Sequence, residues 1–262
     1  MKLTREQTRA HAAAEAILAS GQAHTIDNRS IVVRDWHEGA NHNNAAASAF
    51  FTPYDIGYHL ALNVENGGRL LDLCAGIGGL TVAVLDHGQR FEEIVLLEYN
   101  PDYCEIARKL LPQAEVICGS IYDPVLMAEL ASRQFRTVIS NPPFGTVAKP
   151  AGARGPRYRG DAHYETIDIA SDLADQGVFI LPQQACPFAY SGRQGYIETN
   201  NERFARFSAA TGIDMELGVS TDTSILGNFR STSITVEIVT CDFTEARSRR
   251  LPAQVDLFRD AA

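Results

Sequence analysis

The sequence predicts an α/β domain: a seven-stranded, mostly parallel, doubly wound sheet with an antiparallel C-terminal hairpin and an N-terminal helical extension. Three observations carry this. From about residue 69 to 182, short apolar runs alternate with stretches of helical periodicity, the pattern of parallel strands joined by crossover helices. One strand-to-helix junction is glycine-rich, with Gly76, Gly78 and Gly79 in four residues. Near the C-terminus, the β-branched segments 214–220 and 231–243 are separated by too little chain for a crossover, so they pair antiparallel.

Each element follows from local chemistry. Residues 4–20 are Ala-rich and stop at Ser20-Gly21, as a helix with a C-terminal glycine does. Residues 21–49 are polar and turn-rich and read as irregular or loosely helical. The strands are LLDL (70–73), EIVLLE (93–98), EVIC (115–118), TVIS (137–140) and GVFILP (177–182). Helical spacing fills the gaps at 79–87, 102–111, 124–133 and 162–174. The chain divides into a helical extension (1–49), a catalytic domain (50–245) with a basic loop at 146–160, and a tail (246–262).

Composition excludes several classes. With 45% hydrophobic and 21% charged residues in 262, the chain is neither disordered nor collagen-like. No apolar run reaches the roughly 20 residues needed to span a bilayer, and the N-terminus lacks a secretion-signal core. Five scattered cysteines without a CxxC pair point to free thiols in a reducing, cytoplasmic setting, and neither they nor the seven histidines show metal-ligand spacing. No metal and no membrane are expected. The net charge of −9 alone suggests an enzyme of small molecules, since nucleic-acid binders are usually basic.

The motifs point elsewhere. In LLDLCAGIGGLTVAVL (70–85) a strand ends, glycines turn the backbone tightly, and a helix begins with its N–H groups facing a ligand. Glu98 closes the next strand, twenty residues after Gly78, where doubly wound folds place the carboxylate for ribose hydroxyls. A dinucleotide fingerprint would need glycine at position 81, which is Thr81, and Asp72 would repel a pyrophosphate. A carboxylate instead suits the sulfonium and ammonium groups of S-adenosylmethionine. The alternative is an ordinary turn with a solvated Asp72.

TVIS runs directly into Asn141-Pro142-Pro143-Phe144-Gly145 at the ligand-binding edge of the sheet. Two prolines lack N–H donors, so this backbone offers carbonyls, and Asn141 adds a side-chain carbonyl. Two converging acceptors suit an exocyclic NH₂, pulling its nitrogen towards tetrahedral geometry and freeing the lone pair to attack a methyl group. Phe144 offers a face for a planar base. A proline-rich strand-end turn is the alternative.

Together, LLDLCAGIGG, Glu98 and NPPF resemble the class I S-adenosylmethionine-dependent methyltransferases, and among them the adenine-specific amino-methyltransferases of DNA. The resemblance spans about 48–243. FFTP (50–53) is similar to the segment that packs over the cofactor methionine, and its place ahead of the glycine turn matches the gamma motif order. GVFILPQQA (177–185) resembles the modification subunits of restriction systems. The resemblance implies a Rossmann-like methyltransferase fold and S-adenosylmethionine as cofactor. It implies cofactor contacts from Phe51, Thr52, Pro53, Asp72, Ala75, Gly76, Gly78, Glu98, Ser120, Ile121 and Asn141. It places catalysis on Asn141, Pro142, Pro143 and Phe144, with the target base flipped onto them. CGSIYD (118–123) departs from the pattern, carrying Ser120 where an Asp commonly stands, and Asp123 is the expected substitute.

The loop TVAKPAGARGPRYRG (146–160) holds Lys149, Arg154, Arg157 and Arg159 and no acid, which favours phosphate contacts over a merely solvated charge run. Arg247, Arg249 and Arg250 form a weaker basic cluster. Adenine in DNA ranks first as substrate. Adenine or a guanine amine in ribosomal or other RNA ranks second, followed by protein glutamine and by a catalytically dead nucleic-acid-binding protein. Little chain is left for a target-recognition domain, so specificity is slight, read by the loop and N-terminal helix, or supplied by a partner subunit.

Overall fold

The computed structural model describes residues 3–37, 51–146, 153, 155–221, 229 and 234–250. The segments 38–50 and 251–262, which include Phe50 of FFTP and most of the expected tail, lie outside them.

Two helices open the chain. Helix α1 (Arg5–Ala19) starts on a capping box in which Thr4 and Gln7 satisfy each other's backbone N–H, and it ends at Ser20 before the left-handed Gly21. The polar stretch that follows contains a full helix, α2 (Ile26–Asp35), where the sequence suggested only loose structure. Tertiary contacts hold it: Arg29 is buried with its Nε 2.8 Å from Asp86 Oδ1, and Tyr54 donates to the other Asp86 oxygen at 2.8 Å. Helix α3 (Tyr54–Ala61) then packs on α4 (Gly79–His87), Gly57 permitting the approach, since a Cβ there would sit 3.1 Å from Ala83.

The sheet runs β1 (Arg69–Leu73), β2 (Glu93–Glu98), β3 (Glu115–Cys118), β4 (Phe135–Ser140) and β5 (Ala174–Pro182), all parallel. Crossovers pass through α4 (Gly79–His87), α5 (Pro101–Leu110), α6 (Pro124–Ser132) and α7 (Ala162–Ala170). After β5 come a short 3₁₀ turn (Gln183–Ala185) and a small hairpin of β6 (Phe188–Ala189) and β7 (Ile197–Glu198). Then follow α8 (Glu202–Thr211), β8 (Glu216–Leu217), β9 (Val236–Asp242) and α9 (Phe243–Arg250). The seven-stranded order is β3-β2-β1-β4-β5-β9-β8, with β9 antiparallel to both neighbours. This is the predicted Rossmann-like methyltransferase sheet with its C-terminal antiparallel pair. The order reverses between β1 and β4, so the crevice at their C-terminal ends is where such a sheet takes ligands.

One apolar cluster forms on each face, with Leu70, Leu96, Ile139, Val178 and Ile238 on one side and Leu71, Leu97, Val138, Phe179 and Val239 on the other. The odd–even split is strand alternation on a sheet covered on both faces. The boundary expected at 245/246 falls inside α9, where Ala246 is buried and Arg247 donates to the carbonyls of Ser171 and Ala174. Arg249 pairs with Asp214 and Glu245, and Arg250 donates to Ser171 Oγ at 2.9 Å, fastening α9 to the sheet. All five cysteines are free thiols. Among the described residues no helix is long and apolar enough to cross a membrane, and no group of three or more potential ligands could hold a metal.

Gly177 of β5 tests this packing. A Cβ there would overlap the ring of Phe179 and lie 2.7 Å from Phe243 Cζ, and neither ring is free to retreat. Gly177→Ala is expected to lower stability by about 1–3 kcal/mol in urea denaturation.

Candidate active site

The turn between β1 and α4 is built from left-handed residues. Cys74 (φ 59), Gly76 (φ 57) and Gly78 (φ 84) reverse the chain so that α4 begins on Gly79. At Gly78 a Cβ would stand 2.8 Å from Leu111 Cδ1, and at Gly76 2.9 Å from Phe51 Cε1, so glycine is required at both for space as well as conformation. Glu98, at the end of β2, accepts the Gly76 N–H at 2.8 Å through one oxygen and the Asn100 N–H at 2.7 Å through the other. Burial nonetheless pushes its carboxyl above the usual range, and the half-buried side chain closes the floor of the turn. Ala75 lies in the same turn, its N–H donating to Leu97 O at 3.0 Å.

Asp72 sits beneath the turn with no exposed surface. Its Oδ2 accepts from Thr81 Oγ1 at 2.7 Å, while Oδ1 has no hydrogen-bond partner. The threonine that breaks the dinucleotide fingerprint thus serves as the donor for the buried acid. Burial pushes the Asp72 carboxyl up to about 7.

The segment 51–53 links this turn to NPPF. Phe51 lies on Gly76 and against Trp36 and Tyr103, with ring centroids 5.7 and 5.1 Å away. Trp36 is buried and donates from Nε1 to Glu15 Oε1 at 2.5 Å, so the N-terminal extension holds Phe51 in place. Thr52 Oγ1 accepts from Asn141 Nδ2 at 2.9 Å, and Pro53 caps α3. NPPF leaves β4 with Pro142 buried and Asn141, Pro143 and Phe144 half-buried. The Phe144 ring meets Phe229 edge-on at 6.5 Å. Phe229 went unremarked in the sequence, where nothing in its neighbourhood marks it.

Two other residues were missed. His163 lies directly under the motif: the Gly145 N–H donates to its Nδ1 at 3.4 Å, Nε2 has no partner, and burial lowers its imidazole to about 4. Tyr99 follows Glu98 and is 77% exposed, offering a planar face beside the carboxylate. An aromatic directly after an acidic strand end was the signal available for it.

The β3–α6 loop is only partly as expected. Ile121 is buried beside the crevice, and Ser120 Oγ accepts the Tyr122 N–H at 3.1 Å. Asp123 caps α6, its Oδ1 accepting from the Val125 and Leu126 N–H groups.

Of the basic loop, Lys149 and Arg154 lie outside the described residues. Arg159 is exposed. Arg157 instead turns inward, with Nη1 3.0 Å from Asp168 Oδ1 and Nη2 2.7 Å from Asp172 Oδ1. The acids that hold it stand on α7 and in the turn after it, out of sight of a window over the loop.

Residues 55–152 match the model of the methyltransferase small domain. None among the curated proteins is significantly similar to the chain. Solved structures share the fold at low identity. A candidate RNA methyltransferase from Pyrococcus horikoshii aligns over 83% of this chain and 95% of its own, at 17% identity and TM-score 0.51. The methyltransferase subunit of a type I restriction-modification system from Streptococcus thermophilus aligns over 83% of this chain and 48% of its own, at 13% identity and TM-score 0.52. A candidate class I S-adenosylmethionine-dependent methyltransferase from Listeria monocytogenes covers 92% and 81%, at 13% identity and TM-score 0.50. Residues 55–152 thus resemble a methyltransferase small domain, whose cofactor is S-adenosylmethionine. The residues fit that cofactor: a glycine turn tied to the carboxylate at the β2 end, and a buried acid oxygen without a partner.

Asp72 gives a pH signature. Its unfolded carboxyl titrates near the ordinary 3.8 and the folded one near 7, so between these values the folded state holds the extra proton. Stability therefore falls as pH rises through that window and levels off above it, at a steepest slope of about 1.4 kcal/mol per pH unit. The difference in denaturation free energy between wild type and Asp72→Asn, measured without cofactor from pH 4 to 8, should show this fall. A flat difference contradicts a neutral buried Asp72.

Proposed function

We propose that this S-adenosylmethionine-dependent methyltransferase modifies the exocyclic amine of adenine in a nucleic acid, with DNA as the favoured substrate. The observation that carries the reading is the bond from Asn141 Nδ2 to Thr52 Oγ1 at the C-terminal end of β4. That bond takes up the amide NH₂, and in the proposed complex Oδ1 is the acceptor for the incoming amine. A backbone carbonyl of the adjoining prolines takes the second amine hydrogen. With both hydrogens accepted, the nitrogen lone pair leaves the ring's conjugation and can attack. When bound, the cofactor supplies an electrophilic methyl on a sulfonium; the new N–C bond forms as the C–S bond breaks, and the amine loses one proton.

Positioning and electrostatics carry the step, and the side chains divide the labour. Phe144 supplies the stacking face and is braced by Phe229. In the cofactor cradle, Glu98 meets the ribose hydroxyls and Asp72 balances the cationic end. The titration of Asp72 makes this last role distinct, since a cationic ligand favours the ionised carboxyl and must displace its proton below about pH 7. Ser120 and Ile121 border the adenine, with Tyr99 as a further planar neighbour.

DNA is favoured by FFTP ahead of the glycine turn and by the ILP segment after β5. RNA is the second reading, and the fold leaves it standing because its structural relatives include a candidate RNA methyltransferase as well as a restriction-system subunit.

Tritiated methyl transfer to DNA, ribosomal RNA and adenine-free polymers, side by side, decides between these. Label in DNA alone, absent from the adenine-free control, is the expected result. Asn141→Ala should slow transfer by on the order of 10²–10³; near-normal turnover removes Asn141 from the reaction. Neutralising Lys149, Arg154 and Arg159 together should reduce the log–log salt slope of duplex binding by up to about 3.

A further inference from the structure

Helix α7 is buried along its whole length, although it carries His163, Glu165, Thr166 and Asp168. Fully buried carboxylates must find donors, and these two find them in loops rather than in the helix. Tyr122, from the β3–α6 loop, donates its hydroxyl to Glu165 Oε2 at 2.8 Å. The Gly160 N–H donates to Oε1 of the same carboxylate at 3.1 Å. One turn further on, Asp168 Oδ2 accepts the N–H groups of Arg157 and Tyr158 at 2.6 and 2.8 Å. Gly155 lies so close that a Cβ would stand 2.9 Å from the same oxygen. The first residue of the helix, Ala162, donates to Gly145 O at 2.7 Å, at the end of NPPFG.

We propose that Glu165 is a positioning residue that couples occupancy of the cofactor's adenine subsite to the order of the segment 155–160 behind the target motif, so that cofactor and nucleic acid bind cooperatively. The proposal rests on the reading of the β3–α6 loop as the adenine subsite. Its physical basis is the sharing of one carboxylate. A ligand that fixes residues 120–122 fixes the Tyr122 hydroxyl, and this holds the Glu165 carboxyl in the rotamer that receives Gly160. Because α7 is enclosed by packed side chains, the group cannot swing to a solvent partner when one donor leaves. The linkage is reciprocal: whatever factor the cofactor adds to loop order, an ordered loop adds to cofactor affinity.

The experiment is amide hydrogen exchange over residues 155–160, with and without saturating S-adenosylhomocysteine, whose binding is measured calorimetrically on the same samples. In the wild type the nucleoside should slow exchange of the Arg157, Tyr158 and Gly160 amides by about five- to tenfold, the lower part of the usual coupling range. In Tyr122→Phe, S-adenosylhomocysteine should still bind while that increment drops below about twofold. Glu165→Gln, which keeps the shape and loses one acceptor, should also diminish it. A purely structural tie would lower basal protection in the variants and leave the increment intact; that result overturns the proposal, as does bound S-adenosylhomocysteine with no change in exchange. Failure of S-adenosylhomocysteine to bind the wild type overturns the cofactor reading itself and the coupling with it.

Discussion

The site depends on one reversal of the backbone. Between Leu73 and Gly79 the chain must leave a buried strand and enter a buried helix, and it does so through three left-handed residues. Two are glycines that cannot be otherwise, because ring and methyl atoms fill the space a Cβ would need. The third, Cys74, takes a conformation that costs a non-glycine residue on the order of 1 kcal/mol. That cost is tolerated because the turn is clamped from both sides. Glu98 receives the Gly76 N–H from below, and Phe51 covers Gly76 from above. Phe51 is itself wedged by Trp36 and Tyr103, so the N-terminal helices, remote in sequence from the chemistry, shape the cofactor cradle.

Buried acids organise the rest. Glu165 and Asp168 on α7 and Glu237 on β9 are wholly enclosed. Glu237 alone gathers the N–H groups of Tyr190 and Ser191, the Ser191 hydroxyl and the Gln183 amide, closing the chain after β5 onto the sheet edge. Each of these carboxylates converts an irregular loop at the ligand edge into a fixed one, since an unbonded buried acid would cost far more than the loop's ordering. Asp72 is the exception among them, with one oxygen left without a partner and a raised affinity for its proton. Groups that violate the satisfaction rule mark places where a ligand completes the network.

Much of the fold was legible because alternation and periodicity are local signals. The five parallel strands and four crossover helices match the apolar runs to within a few residues. The glycine turn, Glu98, FFTP and NPPF were legible as motifs, and the structure brings them together through the Phe51–Gly76, Glu98–Gly76 and Thr52–Asn141 contacts. What failed to show were effects of partners distant in sequence. Helix α2 looks polar because its buried arginine is answered by Asp86, 57 residues away. Arg157 reads as a free cation because its partners, Asp168 and Asp172, lie beyond the loop, on and just after the buried helix α7.

Those same corrections bear on how an acidic chain can serve a nucleic-acid substrate. Arg157 and Arg249 pair with neighbouring acids, and Arg247 and Arg250 also bond backbone carbonyls, so these arginines are less available as cations than the sequence advertises. Few phosphate contacts mean little counterion release, and binding that gains little from counterions must draw on the base itself. Stacking on an aromatic face is worth about 1–3 kcal/mol per base, and acceptors aimed at a single amine add selectivity without long-range attraction. An enzyme so built recognises a base that is already cheap to extrude, at a mismatch, in a loop or in an open strand, more readily than one in an intact stack. On the function proposed above, the net charge therefore governs how strongly a polymer is held, whereas the carbonyls and ring at the end of β4 govern which group on it can react.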